Sequence, residues 1–362
     1  MLQPKTVVTL YDHGTAYCPC CGRPVFQTAP GELRNCQIGP VTKATAIYLR
    51  HEVKLSYRDV QKIFSGLFNM PFVPASAMAF DRETSRKGEV LYEDLRDKIR
   101  AADILHGDET HWRIDGNSAF VWYAGNTDLA FFHVDRSRSA EVALSIYGPR
   151  FQGSLVSDDY AVYQAIAPKR RQSCLAHIIT KAKDITKEIE LLEPRHQDTK
   201  AMSFCDGVRT LFKEVCKLGQ QREAGKVSFA QAKNMIPAFC RAVKKLGRQA
   251  LEFKKAENLR KRIVDPKKSY KHLFTFLKVP HLPPTNNQAE QTLRLPVIFR
   301  KICFGNRSEG GAKSFSINLS LSTTAKRQGK HPITLFKTIL LGTPEEAKRE
   351  LYAEPPEFND SS

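Results

Sequence analysis

The sequence contains no long hydrophobic run. Across its 362 residues no stretch of about 18 consecutive apolar residues occurs, which argues against a membrane-spanning helix. The opening residues, MLQPKTVVTLYDHG, also lack the basic region followed by an apolar segment that marks a signal peptide. These two absences favour a protein of the cytoplasm.

Cysteine is too sparse for a disulfide scaffold, since nine cysteines are spread over the whole chain. Three of them fall in YCPCCGRPV, where Cys18 and Cys21 have the C-x-x-C spacing of a zinc knuckle, and Cys36 follows at a suitable distance. A closed zinc site needs four ligands, however, and no second C-x-x-C occurs. Residues 1–40 therefore fit either a short, degenerate zinc ribbon or one that binds Zn²⁺.

Acidic residues are clearly outnumbered. The chain has 38 Asp and Glu against 56 Lys and Arg, which gives a formal net charge of +18. Basic side chains displace counterions from phosphate backbones, so such an excess favours a nucleic-acid partner. Charge alone does not separate DNA from RNA, and a basic enzyme without such a partner remains the alternative.

The segment 41–100 has the pattern of three short helices. They are TKATAIYLRHEVK, SYRDVQKIFSGLFN and PASAMAFDRETSRKG, with Ser56 as the N-cap of the second and Pro74 at the start of the third. The third helix carries Arg82, Arg86 and Lys87. This order predicts a helix-turn-helix-like domain whose basic helix contacts DNA, although a small helical bundle fits the same pattern.

The rest of the chain alternates between strands and helices. Residues 101–177 contain three short strands in a meander, then a helix, SAEVALSIYGP, and a fourth strand. Residues 178–284 have the pattern of an all-helical insertion. Residues 285–341 are predicted to complete the unit that residues 101–177 begin, and residues 342–362 to form a frayed tail. Three strands, a helix and a strand are the order of a ribonuclease-H-like α/β core with a mixed sheet.

Three carboxylates fall where such a core can bring them together. Asp108 is predicted to close the first strand and Asp158 the fourth, and Glu290 lies on the helix predicted in TNNQAEQTLR. Three acids suit two Mg²⁺ or Mn²⁺ ions, which take oxygen ligands. Alternatively, the aspartates cap turns, and Glu290 forms an ion pair with Arg294 on a surface helix capped by Thr285 or Asn286.

The ordered combination of motifs resembles the DDE transposases of the insertion-sequence 66 family, over roughly residues 40–340. The motifs are DETHWR at 108–113, LVSDDYAVY at 155–163, CLAH at 174–177, TNNQAEQTLR at 285–294, FRKICFGNRSEGG at 299–311 and TTAKRQGKHP at 323–332. The resemblance implies that Asp108, Asp158 and Glu290 bind two Mg²⁺ or Mn²⁺ ions. The family has glycine at the position of Asp159, so Asp158 is taken as the second acid and Asp159 as its substitute.

The resemblance also implies the partners and the reaction. These are double-stranded DNA at element ends and target sites, a homo-oligomer, accessory proteins of the same element, and a bacterial, nucleoid-associated location. The reaction is metal-dependent strand cleavage followed by strand transfer. A domesticated, non-catalytic DNA-binding protein and a ribonuclease-H-like nuclease remain the alternatives.

Further residues have two interpretations each. Arg294, Arg300 and Lys301 follow Glu290 and can bind DNA phosphates or balance the acids. Trp112 packs beside the first acid or stacks on a base, and His177 of the Cys-x-x-His element, with Cys174, supports the fold or contacts DNA. The insertion lysines either contact phosphates or form solvated faces: Lys213, Lys217, Lys244, Lys245, Lys254, Lys255 and Lys261.

Overall fold

A computed structural model describes residues 6–25, 27–158 and 160–352. The described chain starts with a small hairpin and three helices: β1 (Ala16–Tyr17), β2 (Pro24–Val25), α1 (Pro40–His51), α2 (Tyr57–Phe68) and α3 (Pro74–Ala101). Ser56 caps α2 by accepting from the Asp59 N–H, and Pro74 begins α3, as predicted. None of the helices in the described ranges has the length and apolar character needed to cross a membrane.

A five-stranded mixed sheet occupies the middle of the chain. Its elements are β3 (Ile104–Ile114), β4 (Asn117–Gly125), β5 (Ala130–Asp135), α4 (Ala140–Tyr147), β6 (Ser154–Ser157), α5 (Val162–Ala165) and β7 (Arg170–Ser173). The strand order is β5-β4-β3-β6-β7. The first three strands are antiparallel, whereas β6 runs parallel to β3 and β7 parallel to β6. The predicted α/β class with a mixed sheet is confirmed.

Helices fill most of the remaining sequence. After the sheet come α6 (Leu175–Glu190), α7 (Thr199–Glu223), α8 (Phe229–Asn234), α9 (Ile236–Leu246), α10 (Lys254–Val264), α11 (Asn287–Cys303), α12 (Glu309–Arg327), α13 (Pro332–Leu341) and α14 (Pro344–Leu351). Helices α6–α10 bury an apolar core together with residues that follow α10, such as Phe276 and Leu282. Because α14 is a helix with a capping box at Thr343, the frayed tail predicted from residue 342 is wrong for this part.

The N-terminal helices differ from the prediction. Helix α3 runs for 28 residues instead of ending near Lys87, and α1–α3 share one apolar cluster with the sheet and with α12 and α13. Lys87 donates a hydrogen bond to the Leu340 carbonyl on α13. The segment 41–100 therefore packs against the central unit and encloses no separate core.

Helix α12 carries buried hydroxyl side chains that bond to the edge of the sheet. Hydroxyls at every fourth position accept hydrogen bonds from alternate backbone N–H groups of the edge strand β5. The pairs are Ser316 Oγ with Val134 at 3.0 Å, Ser320 Oγ with Phe132 at 2.8 Å and Thr324 Oγ1 with Ala130 at 3.0 Å. An exposed strand edge invites pairing with other chains, so this ladder satisfies and covers it.

Ser320→Ala is expected to destabilise the protein by about 1–3 kcal/mol, because the buried Phe132 N–H loses its acceptor. Urea denaturation of both proteins measures this cost. Ser145→Ala is the control, since that exposed hydroxyl bonds only to a carbonyl of its own helix, Val142 O. Equal stability of the Ser320 variant and the wild type would contradict a stabilising role for the ladder.

Candidate functional site

Asp108 and Asp158 lie level with each other on adjacent parallel strands. In the register of β3 and β6, His106 faces Val156. Asp108 and Asp158 each follow these partners by two residues, so their side chains leave the sheet from equivalent positions. Asp158 directly follows β6, as predicted, whereas Asp108 lies inside β3, because β3 continues to Ile114. Asp159 is outside the described residues.

Asn286 fixes the start of α11 against β3. Its side chain donates to the Gly107 carbonyl at 2.9 Å and its Oδ1 pairs with His106 Nδ1 at 2.9 Å. The side chain is fully buried and makes no capping hydrogen bond, so the predicted capping role is wrong for this residue. It instead joins α11 to the residue before Asp108, one helical turn ahead of Glu290.

Glu290 lies on the first turn of α11 and faces the start of α6. Its Oε1 is 3.6 Å from Nδ1 of His177, and both side chains are half exposed. Within the described residues no ion pair joins Glu290 to Arg294, so that interpretation of TNNQAEQTLR is wrong. The hydrogen bond with Cys174, together with the charges of Cys174, Glu290 and Asp158, outweighs burial and raises the pKa of His177 to about 9.

Negative charge is crowded around Asp108. Burial, and then the carboxylates of Glu109, Asp158 and Glu290, raise the pKa of Asp108 to about 7. The Glu109 N–H, which donates to Asp108 Oδ1 at 2.9 Å, offsets only part of this effect. The neighbouring Glu109 has a different environment, because it is bonded to Arg138 and to the Tyr163 hydroxyl. The surroundings of Asp108 thus leave its charge largely uncompensated.

Asp108→Asn is expected to raise the melting temperature at pH 8 by on the order of 5 °C. Folding raises the pKa of Asp108 from 3.8 to about 7, so the folded state binds this proton more tightly, and stability falls as pH rises between these values. Asparagine carries no charge, so the variant avoids this loss of stability. Its gain in melting temperature over the wild type should therefore shrink steadily toward pH 4. Calorimetry in EDTA measures both proteins, with the exposed Asp128→Asn as control, and an equal gain at every pH would contradict this origin.

Two neighbouring cavities lie on the side of the helical insertion, and the first of them reaches Asp158. One, of about 550 Å³, is lined by Asp158, His177 and Arg262 among others. The second, of about 760 Å³, shares Asn258 and Arg262 with the first. Its other cationic lining residues are Arg171, Lys261, Lys267, Lys268 and Lys271, against one acid, Asp265. His272 also lines it, but burial lowers the pKa of this residue to about 4. The first cavity is also lined by Lys181 and Lys255 and by the acids Asp184 and Glu188, so the basic excess lies in the second cavity. We call the two together the basic cleft, which starts at Asp158.

The predicted DNA-binding residues lie in several places. Arg82 and Arg86 are exposed on α3 and line a smaller groove with Lys313 of α12. Arg294 and Lys301 are exposed on α11, whereas Arg300 donates to the His111 carbonyl and so ties α11 to β3. Of the insertion lysines, Lys255 and Lys261 line the basic cleft. The remaining members of these sets lie outside it.

The N-terminal cysteines form only part of a zinc site. Cys18 and Cys21 flank a tight turn in the β1–β2 hairpin, in which the Gly22 N–H donates to the Cys18 carbonyl at 2.9 Å. Cys36 accepts from Lys43 Nζ at 3.3 Å, and in the described part of the chain it does not converge with the pair. Zinc at the N-terminus stays a prediction without a third ligand.

Trp112 packs inside the protein, as one of its two interpretations predicted. It is 3% exposed, stacks on Phe315 and donates from Nε1 to Asn306 Oδ1 at 2.7 Å. A buried ring does not stack on a base.

The sequence analysis did not single out Arg171 and Arg262, which lie near Asp158. Their basic character was the only feature of the sequence that pointed to a role, because their position beside Asp158 depends on the folding of β7 and α10.

Two carboxylates lie level with each other on adjacent parallel strands and a third lies on a helix, beside the basic cleft. Such a donor set is typical of enzymes that act on nucleic acids with divalent metal ions. The sequence model described as "Transposase IS66 family" matches residues 35–314. The chain therefore belongs to this family of transposases. No curated protein matches it.

Proposed function

We propose that the protein is a DNA transposase that cleaves the ends of an insertion sequence and transfers the cut strands to a target. The proposal is supported by the placement of the three acids: Asp108 and Asp158 lie level on adjacent parallel strands, and Glu290 lies on the first turn of α11, near enough to contribute with Asp158 to the raised pKa of Asp108. The strand order β5-β4-β3-β6-β7, with three antiparallel strands followed by two parallel ones, supports a ribonuclease-H-like core.

The donor set fits hard divalent cations. Asp108, Asp158 and Glu290 offer only oxygen atoms, which Mg²⁺ and Mn²⁺ prefer, and the charge that crowds Asp108 is of the sign that a cation offsets. Two such ions, when bound, activate the attacking oxygen and stabilise the leaving oxygen of phosphoryl transfer.

The protein's own residues hold this arrangement in place. Asn286 orients the helix that carries Glu290 by its bonds to β3. Arg171 donates to the Asp158 carbonyl at 2.9 Å, and the Tyr160 N–H donates to Asp158 Oδ1 at 2.9 Å. These bonds fix the loop after β6, so two acids and the helix bearing the third need little rearrangement before catalysis.

The test uses labelled duplex DNA that carries the terminal repeats flanking the gene. With Mg²⁺ the purified protein should nick these ends and join them to a second duplex. Binding without cleavage under any divalent metal ion would support the domesticated, non-catalytic alternative. Preferred cleavage of RNA–DNA hybrids would support a nuclease.

The basic cleft is expected to bind the DNA backbone beside the acids. Lys267→Gln combined with Lys271→Gln should weaken binding and lower the slope of log affinity against log salt by about 2, since two phosphate contacts are lost. Fluorescence anisotropy over a salt series measures this slope. Lys226→Gln with Lys233→Gln is the matched control, because the same charge is removed outside the cleft. Equal slopes in the two double variants would exclude the cleft as a binding surface.

A further inference from the structure

A thiol, an imidazole and a carboxylate meet where the first turns of α6 and α11 face each other. One ligand atom from each of Cys174, His177 and Glu290 lies within 4.8 Å of the other two. Nδ1 of His177 and Oε1 of Glu290 are 3.6 Å apart. In the described ranges this is the group of three that could share a metal ion.

The backbone holds these donors in position. Cys174 is the N-cap of α6 and His177 follows three residues later, so the two side chains share a helix face. The Asn286 N–H donates to Cys174 Sγ at 3.1 Å, and the Leu175 N–H donates to the Pro284 carbonyl at 3.0 Å. The two helix starts are therefore bonded to each other, and the sulfur has a backbone donor of the kind that supports metal-bound ligands.

The donor set differs from that of the proposed magnesium site. Magnesium takes oxygen ligands and zinc takes sulfur, nitrogen and oxygen, with bonds of about 2.0–2.3 Å that place donor atoms roughly 3.3–3.8 Å apart. The distance of 3.6 Å fits this range. The other donor separations lie within 4.8 Å, so the donors need to close by at most about 1 Å. His177 and Glu290 are 45% and 44% exposed, so their side chains have room to move.

We propose that Cys174, His177 and Glu290 form a Zn²⁺ site that holds Glu290 away from Asp108 and Asp158. Three protein ligands and one water are a common zinc coordination. Because zinc binds a thiolate and a neutral imidazole, binding would release the protons held by Cys174 and His177 to solvent. The inhibitory consequence rests on the proposed function, in which Glu290 is a magnesium ligand. Zinc then switches the site off by engaging its third acid.

Metal binding is measured without DNA. The background is full-length protein in which the four N-terminal cysteines are serine, so that they cannot bind zinc: Cys18, Cys20, Cys21 and Cys36. Competition with a chromophoric chelator should show one equivalent of Zn²⁺. Cys174→Ser and His177→Gln should each weaken it by at least about tenfold, as expected for a lost metal contact, while Cys240→Ser, a half-buried cysteine on α9, should bind as the background does.

Cobalt identifies the ligand atom. Co²⁺ in the same background should give a sulfur-to-metal charge-transfer band that disappears in Cys174→Ser and persists in Cys240→Ser. A zinc equivalent that survives Cys174→Ser, or a cobalt spectrum without that band, would overturn the site. Circular dichroism of each variant shows whether a loss of metal reflects a loss of fold.

A cleavage assay tests whether zinc at this site inhibits the enzyme. Zinc should inhibit magnesium-dependent cleavage, and Cys174→Ser should need at least about ten times more zinc for half inhibition, relative to its own activity in magnesium. Zinc binding without inhibition of an active protein would overturn the switch. A protein that binds zinc through Cys174 but cleaves no DNA would refute the proposed function and leave the metal site standing.

Discussion

Glu290→Gln is expected to reduce DNA strand cleavage by about a thousandfold at unchanged fold. A metal ion contributes several kcal/mol of transition-state stabilisation in such sites, and about 1.4 kcal/mol corresponds to a factor of ten in rate. Glutamine keeps the shape of the side chain and one carbonyl oxygen but removes the charge that holds a cation. Single-turnover cleavage of labelled duplex ends, under saturating Mg²⁺, measures the rate.

The matched control is Glu345→Gln. Glu345 is an exposed acid on the first turn of α14, as Glu290 is on the first turn of α11, so the same chemical change is made in the same helical position. The control should cleave at the wild-type rate. Wild-type cleavage by Glu290→Gln would remove Glu290 from the metal-binding set and with it the proposed three-acid site.

The residues around Glu290 show which parts of the site can be predicted from the sequence and which cannot. Asp108, Asp158 and Glu290 could be selected because strand order and motif order agree with one family, and the register of β3 with β6 then brings the two aspartates level. The role of Asn286 could not be predicted, since an asparagine before a helix is usually a cap. Its side chain turns inward because His106 and the Gly107 carbonyl offer buried partners from a strand 180 residues away.

Other misses have physical causes of the same kind. Strand β7 is four residues long and reads Arg-Arg-Gln-Ser, so it lacks the alternation of apolar residues that marks a strand. It forms because β6 offers a parallel edge. The buried Ser316 and Ser320 of α12 look polar in sequence, and the edge of β5 explains their burial. Local pattern predicts elements, whereas partners distant in sequence decide the roles of polar side chains.

Asp81→Ala is expected to destabilise the protein by about 3–5 kcal/mol, because the buried polar groups that bond to this carboxylate would lose their charged acceptor. Asp81 is 3% exposed and accepts from three other helices. The bonds come from His51 Nε2 at 2.6 Å, the Tyr57 hydroxyl at 3.0 Å and Asn318 Nδ2 at 2.9 Å. Alanine removes the common acceptor of α1, α2 and α12.

The pH dependence of stability identifies the charge as the cause. Burial alone would raise the pKa of Asp81, but the charge and hydrogen bond of His51, with Arg50 and Asn318, lower it below its usual value. The folded state therefore binds this proton less tightly than the unfolded state. The contribution of Asp81 is fully present above about pH 4 and is lost as pH falls through its lowered pKa.

Urea denaturation at pH 7 measures the loss, followed by far-ultraviolet circular dichroism. Asp97→Ala on the same helix is the control, because Asp97 is 73% exposed and forms only a surface pair with Arg100, which is worth at most about 1 kcal/mol. Asp81→Asn should fall between the two, since it keeps one acceptor oxygen but loses the charge. If Asp81→Ala were as stable as Asp97→Ala, the carboxylate of Asp81 would contribute nothing measurable to the packing of α1–α3 against α12.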